Sequence, residues 1–259
     1  MKRTLVVGDI HGGLKALEQV LERAKVTAQD KLIFLGDYVD GWSESSSVIN
    51  ALIALSEKQE CIFVKGNHDA YCEDWLSAEI IPEMWLLNGG VSTMNSYADY
   101  SQEEIDRHLE FFGKMKNYYT DDQNRLFIHA GYSSMHGPER EMHDSNYRWD
   151  RTLWETAVAM DKNIQKDSVL YPKRLLLYNE IFIGHTPTLH LGTTNPVNKA
   201  NVWNIDTGAA FTGVVSIMDI ETKEYWQSDT LPSLYPDEKG RNTPEILKML
   251  NGIKLQETF

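Results

Sequence analysis

The chain is poor in cysteine, in long apolar runs and in positive charge, and each shortage excludes something. Two cysteines in 259 residues, Cys61 and Cys72, cannot form a disulfide framework. Cys61 begins the apolar run Cys61–Val64, where a buried free thiol is expected and a catalytic one is not. No run approaches the roughly 20 apolar residues of a membrane span, and the apolar stretch after the basic start is too short for a secretory signal. A cytoplasmic protein with no membrane partner is therefore expected. Lys and Arg number 25 against 38 Asp and Glu, a formal net charge of −13. That charge repels a nucleic-acid backbone, whose binding depends on Lys and Arg displacing counterions, so no nucleic-acid polymer is expected as a partner. Linkers, low-complexity tracts and internal repeats are also missing, so residues 1–259 read as one domain with a C-terminal extension at 231–259.

What is present is the composition of a globular protein, 42% hydrophobic and 24% charged. Short continuous apolar runs at Leu5–Val7, Leu32–Leu35, Cys61–Val64 and Leu126–Ile128 read as strands buried on both faces. Between the first three, Leu14–Ala24 and Val48–Ser56 carry apolar residues at helical spacing, with Ser43–Ser47 as N-cap and first turn of the second helix. The opening is thus βαβαβ, which implies parallel strands, right-handed crossovers and a ligand site beyond the carboxyl ends of the strands. Tyr71–Met115 reads mainly helical, with a capping box at Ser101 and Glu104. The runs Ile181–Ile183, Val202–Ile205 and Val214–Ile220 predict a second, largely antiparallel sheet, and a short helix is expected near Thr243–Leu250.

The strands end in polar clusters beside glycine: GDIHG at 8–12, GDYVD at 36–40, GNHD at 66–69, HAG at 129–131 and GHT at 184–186. A single Asp after a strand is ordinarily a helix cap, and a lone His an ordinary hydrogen-bonding residue. Five such clusters bring metal-type side chains to one rim, with glycines permitting sharp turns. Asp9 and His11, two apart, would share one side of an extended backbone and one cation. Asp37 is the candidate to bridge that cation to a second, held by Asn67, His129 and His185. Mixed nitrogen and oxygen donors without thiolate suit manganese, iron or zinc better than calcium. Bound divalent cations would also supply the positive charge that an acidic chain needs to hold a phosphate.

In this order the five motifs resemble the signatures of calcineurin-like metallophosphoesterases, in their serine/threonine-phosphatase branch. The runs Trp85–Gly90 and Asn204–Ala209 are similar to those of bacterial and phage members. The resemblance implies an α/β fold, a two-sheet β-sandwich flanked by helices. It also implies two divalent metal ions, manganese first, with iron or zinc as alternatives. Asp9, His11 and Asp37 would hold the first, and Asp37, Asn67, His129 and His185 the second. His68 would be the acid that protonates the leaving alkoxide, oriented by Asp40, with a role as a further metal ligand as the alternative. The implied function is hydrolysis of a phosphomonoester by metal-activated water, on a phosphorylated protein or a small phosphoester. A dinucleoside polyphosphate hydrolase is the alternative enzyme, and a catalytically inactive binding module the alternative of another class.

One departure from the family's pattern stands out. Its second motif continues with a phosphate-gripping Arg, where this chain has Gly41 and Trp42. Trp149–Asp150–Arg151 matches the context of the family's other phosphate-binding Arg, so that role is carried to Arg151, with Arg148 in reserve. A helix cap or ion pair is the alternative for Arg151. Trp42 is read as packing on Tyr38, with stacking on an aromatic group of a substrate as the alternative. The long stretch Gly131–Asp150 is expected to shape access to the site. His108 is read as solvated, and His136, His143 and His190 lie outside the five clusters.

Overall fold

The apolar runs become strands of two five-stranded sheets in the computed structural model, which describes residues 2–244 and Lys248. In the first sheet β1 (Thr4–Val7), β2 (Lys31–Phe34) and β3 (Cys61–Phe63) are parallel. The crossovers between them carry α1 (Leu14–Arg23) and α2 (Ser45–Ser56). Leu17 and Val20 of α1 and Val48, Ile49 and Leu52 of α2 are buried against this sheet's outer face, at the helical spacing seen in the sequence. The expected βαβαβ opening is therefore present.

The second sheet corrects an expectation. It contains β4 (Tyr118–Thr120), β5 (Arg125–Ile128), β6 (Glu180–Ile183), β7 (Val197–Lys199) and β8 (Val202–Asn204), in the order β4-β5-β6-β8-β7. Its three inner strands are parallel, and only β4 and β7 at the edges run antiparallel. The run Val214–Ile220 leaves this sheet altogether. Its strand β9 (Ser216–Asp219) pairs antiparallel with β1, and β10 (Tyr225–Gln227) pairs with β9. The physical reason lies in burial. Leu126, Ile128, Ile181 and Ile183 pack outward under helices, while Phe127 and Phe182 pack inward, so no apolar–polar alternation marks the pairing direction.

Between the sheets lie Val6, Ile33, Leu35, Phe127, Phe182, Ile205, Met218 and Ile220. Phe127 and Phe182 stack there with ring centroids 5.0 Å apart. Each such fully buried side chain contributes roughly 1.5–3 kcal/mol. The sandwich flanked by helices is thus the architecture observed.

The middle of the chain is helical, as expected: α3 (Asn67–Ala78), α4 (Glu83–Trp85), a wide irregular turn at Leu86–Gly90, α5 (Val91–Ser96) and α6 (Gln102–Lys114). The predicted capping box opens α6, where the Glu104 carboxylate accepts from the Ser101 N–H at 2.8 Å. His108 is fully buried on α6, which overturns the solvated reading. It shares the inward stripe with Ile105 and Phe112, and its ring bonds Tyr97 Oη at 2.8 Å and Asn50 Oδ1 at 2.9 Å. The charged neighbours Arg107 and Glu110 lie off that stripe. Cys61 is only half-buried, and Cys72 of α3 is the fully buried thiol.

Further on come α7 (Asn146–Trp149), α8 (Thr152–Ala159) and α9 (Leu231–Leu234). The helix expected near Thr243–Leu250 lies almost wholly outside the described residues. Among the described residues no helix is long and apolar enough to cross a membrane.

Candidate active site

The site forms where the loops after β1, β2, β3, β5 and β6 meet, and their backbone is strained to make them meet. His11, Asp37, Asp40 and His185 all have positive φ, at 53°, 55°, 72° and 67°. Such conformations cost about 1–3 kcal/mol each and persist where the surroundings impose them. His11 is therefore not in the extended backbone that its spacing from Asp9 suggested, although both side chains reach the same place. Two glycines make the close approach possible. A Cβ on Gly66 would lie 2.1 Å from Asp37 Oδ1, and one on Gly184 2.1 Å from Asp9 Oδ1.

Every sequence-predicted ligand converges here, in two groups that share Asp37. His11 Nε2 lies 3.8 Å from Asp9 Oδ2 and 3.6 Å from Asp37 Oδ2. On the other side His129 Nε2 is 3.3 Å from Asp37 Oδ2 and 3.2 Å from Asn67 Oδ1, and His185 Nδ1 is 2.9 Å from the same amide oxygen. Backbone carbonyls orient two of the rings. His11 Nδ1 faces the carbonyls of Val39 and Asp40 at 3.2 and 3.1 Å, and His129 Nδ1 that of Leu35 at 2.8 Å. Each Nε2 is thereby turned toward Asp37 with its lone pair available.

The electrostatics suit cations. Asp9, Asp37, Asp69 and Asp206 are all buried. Burial, then Asp206 and Asp37, pushes the Asp9 carboxyl well above the usual range. Burial lifts Asp206 to about 6, and burial with Asp37 lifts Asp69 to about 7. Burial opposes the charge on Asp37 too, but His129, His68 and His11 around it hold its carboxyl well below the usual value. Carboxylates crowded in this way need positive charge at their centre, and the donor set of carboxylate, imidazole and amide oxygen fits two divalent cations sharing Asp37.

His68 stands beside the shared carboxylate with both ring nitrogens engaged. Nδ1 is 2.5 Å from Asp40 Oδ2, and Nε2 accepts from Arg241 Nη1 at 2.9 Å. His68 belongs with His11 and Asp37 to one of the two close clusters of metal-type side chains, the other being Asp37, His129 and His185, but here its Nδ1 faces Asp40 and its Nε2 lone pair is taken by Arg241, which leaves Asp9 as the further donor beside His11. Asp40 is itself fixed by Trp85 Nε1 at 2.7 Å and Thr93 Oγ1 at 2.5 Å. Asp69, the last residue of its motif, accepts from the backbone N–H groups of Gly66, Asp37 and Tyr38 at 2.8–2.9 Å and ties the loops after β2 and β3 together.

Arg151 lines the same pocket, its Nε 3.3 Å from His185 Nε2, and it makes no side-chain cap on α8. That helix start is served by Asp150, which accepts from Thr152 Oγ1 at 2.7 Å. Arg148 bonds Asn117 and is not among the pocket-lining residues, so its reserve role lapses. Trp149, from the long stretch expected to shape access, forms part of the wall with Tyr71. Trp42 is fully buried in the core cluster that also contains Tyr38, as the packing reading expected. Its ring stacks on Tyr235 at 5.3 Å and its Nε1 donates to the Ala209 carbonyl at 2.7 Å.

Several pocket residues escaped the sequence reading, among them His190, which lies outside the five clusters, and Asn88, Asp206 and Arg241. Asn88 and Asp206 sit in the runs Trp85–Gly90 and Asn204–Ala209, which did carry a signal. Arg241 follows Lys239 and Gly240 in a polar stretch with no strand or motif beside it.

Comparisons with known proteins bear on the family and the fold. The chain is 24% identical over 230 residues to serine/threonine-protein phosphatase 1 of Salmonella typhimurium, covering 83% of this chain and 91% of the relative. It is 21% identical over 231 residues to an asymmetrical bis(5'-nucleosyl)-tetraphosphatase of Oceanobacillus iheyensis, covering 85% and 89%. Its fold is shared by a cold-active protein-tyrosine phosphatase of a Shewanella species, with a TM-score of 0.55 and 13% identity over 88% of this chain and 81% of the other. Residues 2–208 match the profile of the calcineurin-like phosphoesterases, and the chain belongs to that metal-dependent family.

Proposed function

We propose that the protein is a dinuclear-metal phosphoester hydrolase that acts on phosphomonoesters as a serine/threonine protein phosphatase. The observation that carries this reading is Asp37, set between two groups of metal-type side chains with the His68–Asp40 pair beside it. Asp9, His11 and Asp37 would hold one cation, and Asp37, Asn67, His129 and His185 the other. Two bound divalent cations, manganese, iron or zinc, would supply a water activated for attack near neutral pH and neutralise charge on the phosphoryl oxygens. Asp40 holds the His68 ring by Nδ1 and so directs Nε2 into the pocket, where, once released by Arg241 and protonated, it can give that proton to the leaving alkoxide. Arg151 would grip the phosphate from the far side of the pocket.

A second reading, hydrolysis of dinucleoside polyphosphates, has one observation in its favour. Trp149 is 42% exposed on the pocket wall, edge-on to Tyr71 at 5.8 Å, which offers a nucleobase a face to stack on. Turnover of a phosphothreonine peptide, para-nitrophenyl phosphate, its bis-ester and a dinucleoside tetraphosphate, with manganese and then with chelator, separates the readings. Chelator-sensitive hydrolysis led by the phosphopeptide supports the phosphatase, and preference for the tetraphosphate supports the second reading. Full metal occupancy with no turnover on any substrate would turn attention to an inactive binding module.

A further inference from the structure

Residues 231–241 are built onto the site. Tyr235 stacks on Trp42, its hydroxyl bonds Glu44, and it accepts from the Lys15 N–H at 3.0 Å. Glu238 accepts from Ser43 N and Oγ at 2.9 and 2.7 Å. A Cβ on Gly240 would lie 2.6 Å from the Trp42 ring, so the backbone runs directly over the indole, and the Arg241 N–H then donates to the Ala210 carbonyl at 2.9 Å. From there the Arg241 side chain enters the pocket between two glycines, both with positive φ. Its Cγ would be 3.5 Å from a Cβ on Gly41 and 3.2 Å from one on Gly89.

The guanidinium it delivers is under-used by the protein. Nη1 donates to His68 Nε2 at 2.9 Å and Nη2 to Asn88 Oδ1 at 2.8 Å, while Nε is buried with no partner. Neither acceptor is a carboxylate, and among the described residues Arg241 makes no direct ion pair; Asp37, Asp40, Asp206 and Asp9 favour its charge only from a distance. A charged group withdrawn from water without an ionic partner is costly, and a guanidinium's fork of donors matches phosphate oxygens. Arg241 lines the same pocket as Asp37, His68 and Arg151. Its contact with His68 Nε2 marks the point that the leaving-group oxygen of a substrate would approach, one bond from phosphorus.

We propose that Arg241 is a phosphate-binding residue of this site, carried in by the segment docked on Trp42, and that it grips the terminal phosphate of a monoester together with Arg151. The inference rests on the proposed hydrolase function for its substrate, but phosphate binding tests it separately. On binding, the guanidinium exchanges these two acceptors for anionic oxygens. It thereby fills the place beside Asp40 where Gly41 brings no side chain.

Titration of the manganese-loaded protein with inorganic phosphate, followed by calorimetry, reads the grip directly. Arg241→Gln should weaken phosphate binding by about 10- to 100-fold, the scale of losing charge-assisted hydrogen bonds, with metal content unchanged. Arg241→Lys, which keeps the charge and loses the fork, should fall between the two. Where para-nitrophenyl phosphate and its bis-ester are turned over, the variant should lose monoester activity more than bis-ester activity, because the bis-ester has one terminal oxygen fewer to hold. Unchanged phosphate affinity in both variants would overturn the inference, as would an equal loss on the two esters. A wild-type protein that binds phosphate but hydrolyses nothing would sink the hydrolase reading and leave the titration to decide on Arg241.

Discussion

The strand-end loops and residues 231–241 reach the same pocket by different routes. The loops bring Asp9, His11, Asp37, Asn67 and His129 from positions directly after β1, β2, β3 and β5, each within a few residues of a glycine. The C-terminal segment brings Arg241 from far along the chain, held by an aromatic stack on Trp42 and hydrogen bonds to Ser43, Glu44 and Ala210. The first route is written locally and the second only in tertiary contacts. The comparison teaches that the metal-type centre and the substrate grip are separable parts of this site, and that substitutions should divide them.

The sharpest division comes from the shared carboxylate. Asp37→Asn removes the group common to both clusters, and several kcal/mol of transition-state stabilisation with it, so turnover should fall by about 10³-fold or more. Metal analysis of the purified protein should show lowered occupancy, which no change in the C-terminal segment is expected to cause. A variant that kept both metals and its activity would break the division at its strongest point.

Next comes His68, which touches both regions through Asp40 and Arg241. His68→Asn should keep metal content and lower turnover by roughly 10²–10⁴-fold, most for esters with poor leaving groups. Loss of metal instead would return His68 to the ligand set.

Trp42→Ala tests the docking surface itself. Removing a fully buried Trp should cost about 3–5 kcal/mol of stability, seen as a lower denaturant midpoint. It should also weaken phosphate binding to the level of Arg241→Gln while leaving metal binding intact. Phosphate affinity that survived the loss of Trp42 would show that the segment holds its place without it.

The smallest effect lies away from the site. Burial pulls the His108 pKa down from 6.5 to about 4. The unfolded chain therefore binds the extra proton first, so the stability this residue confers is full above about pH 6.5 and is lost as pH falls toward 4. Melting temperatures of wild type and His108→Gln should converge over that window, with metal content the same in both. Parallel curves would remove His108 from the account.

How much was legible follows from the same contrast. The strands β1, β2, β3 and β5, helices α1 and α2, and the convergence of six metal-type side chains all followed from local pattern, because apolar runs and glycine-flanked clusters encode themselves within a few residues. The direction of pairing in the second sheet was not legible, since Phe127 and Phe182 face one layer and Ile128 and Ile183 the other, leaving no alternation to read. His108 was misread from its charged neighbours when its stripe partners Ile105 and Phe112 were the better guide. Arg241 left no mark because nothing near it in sequence belongs to the pocket. Even so, half of the arrangement was visible as Gly41 and Trp42, an unexplained departure whose meaning depended on what lay over them.

Gly41, Trp42, Gly240 and Arg241 therefore form one packing unit. An Arg at position 41 beside Arg241 would bring two long stems into one corridor, from a backbone position whose φ of +113° strains any residue with a Cβ. A chain without Arg241 would have neither. Transplanting residues 231–241 onto a relative should accordingly work best in a recipient that carries glycine after its second motif.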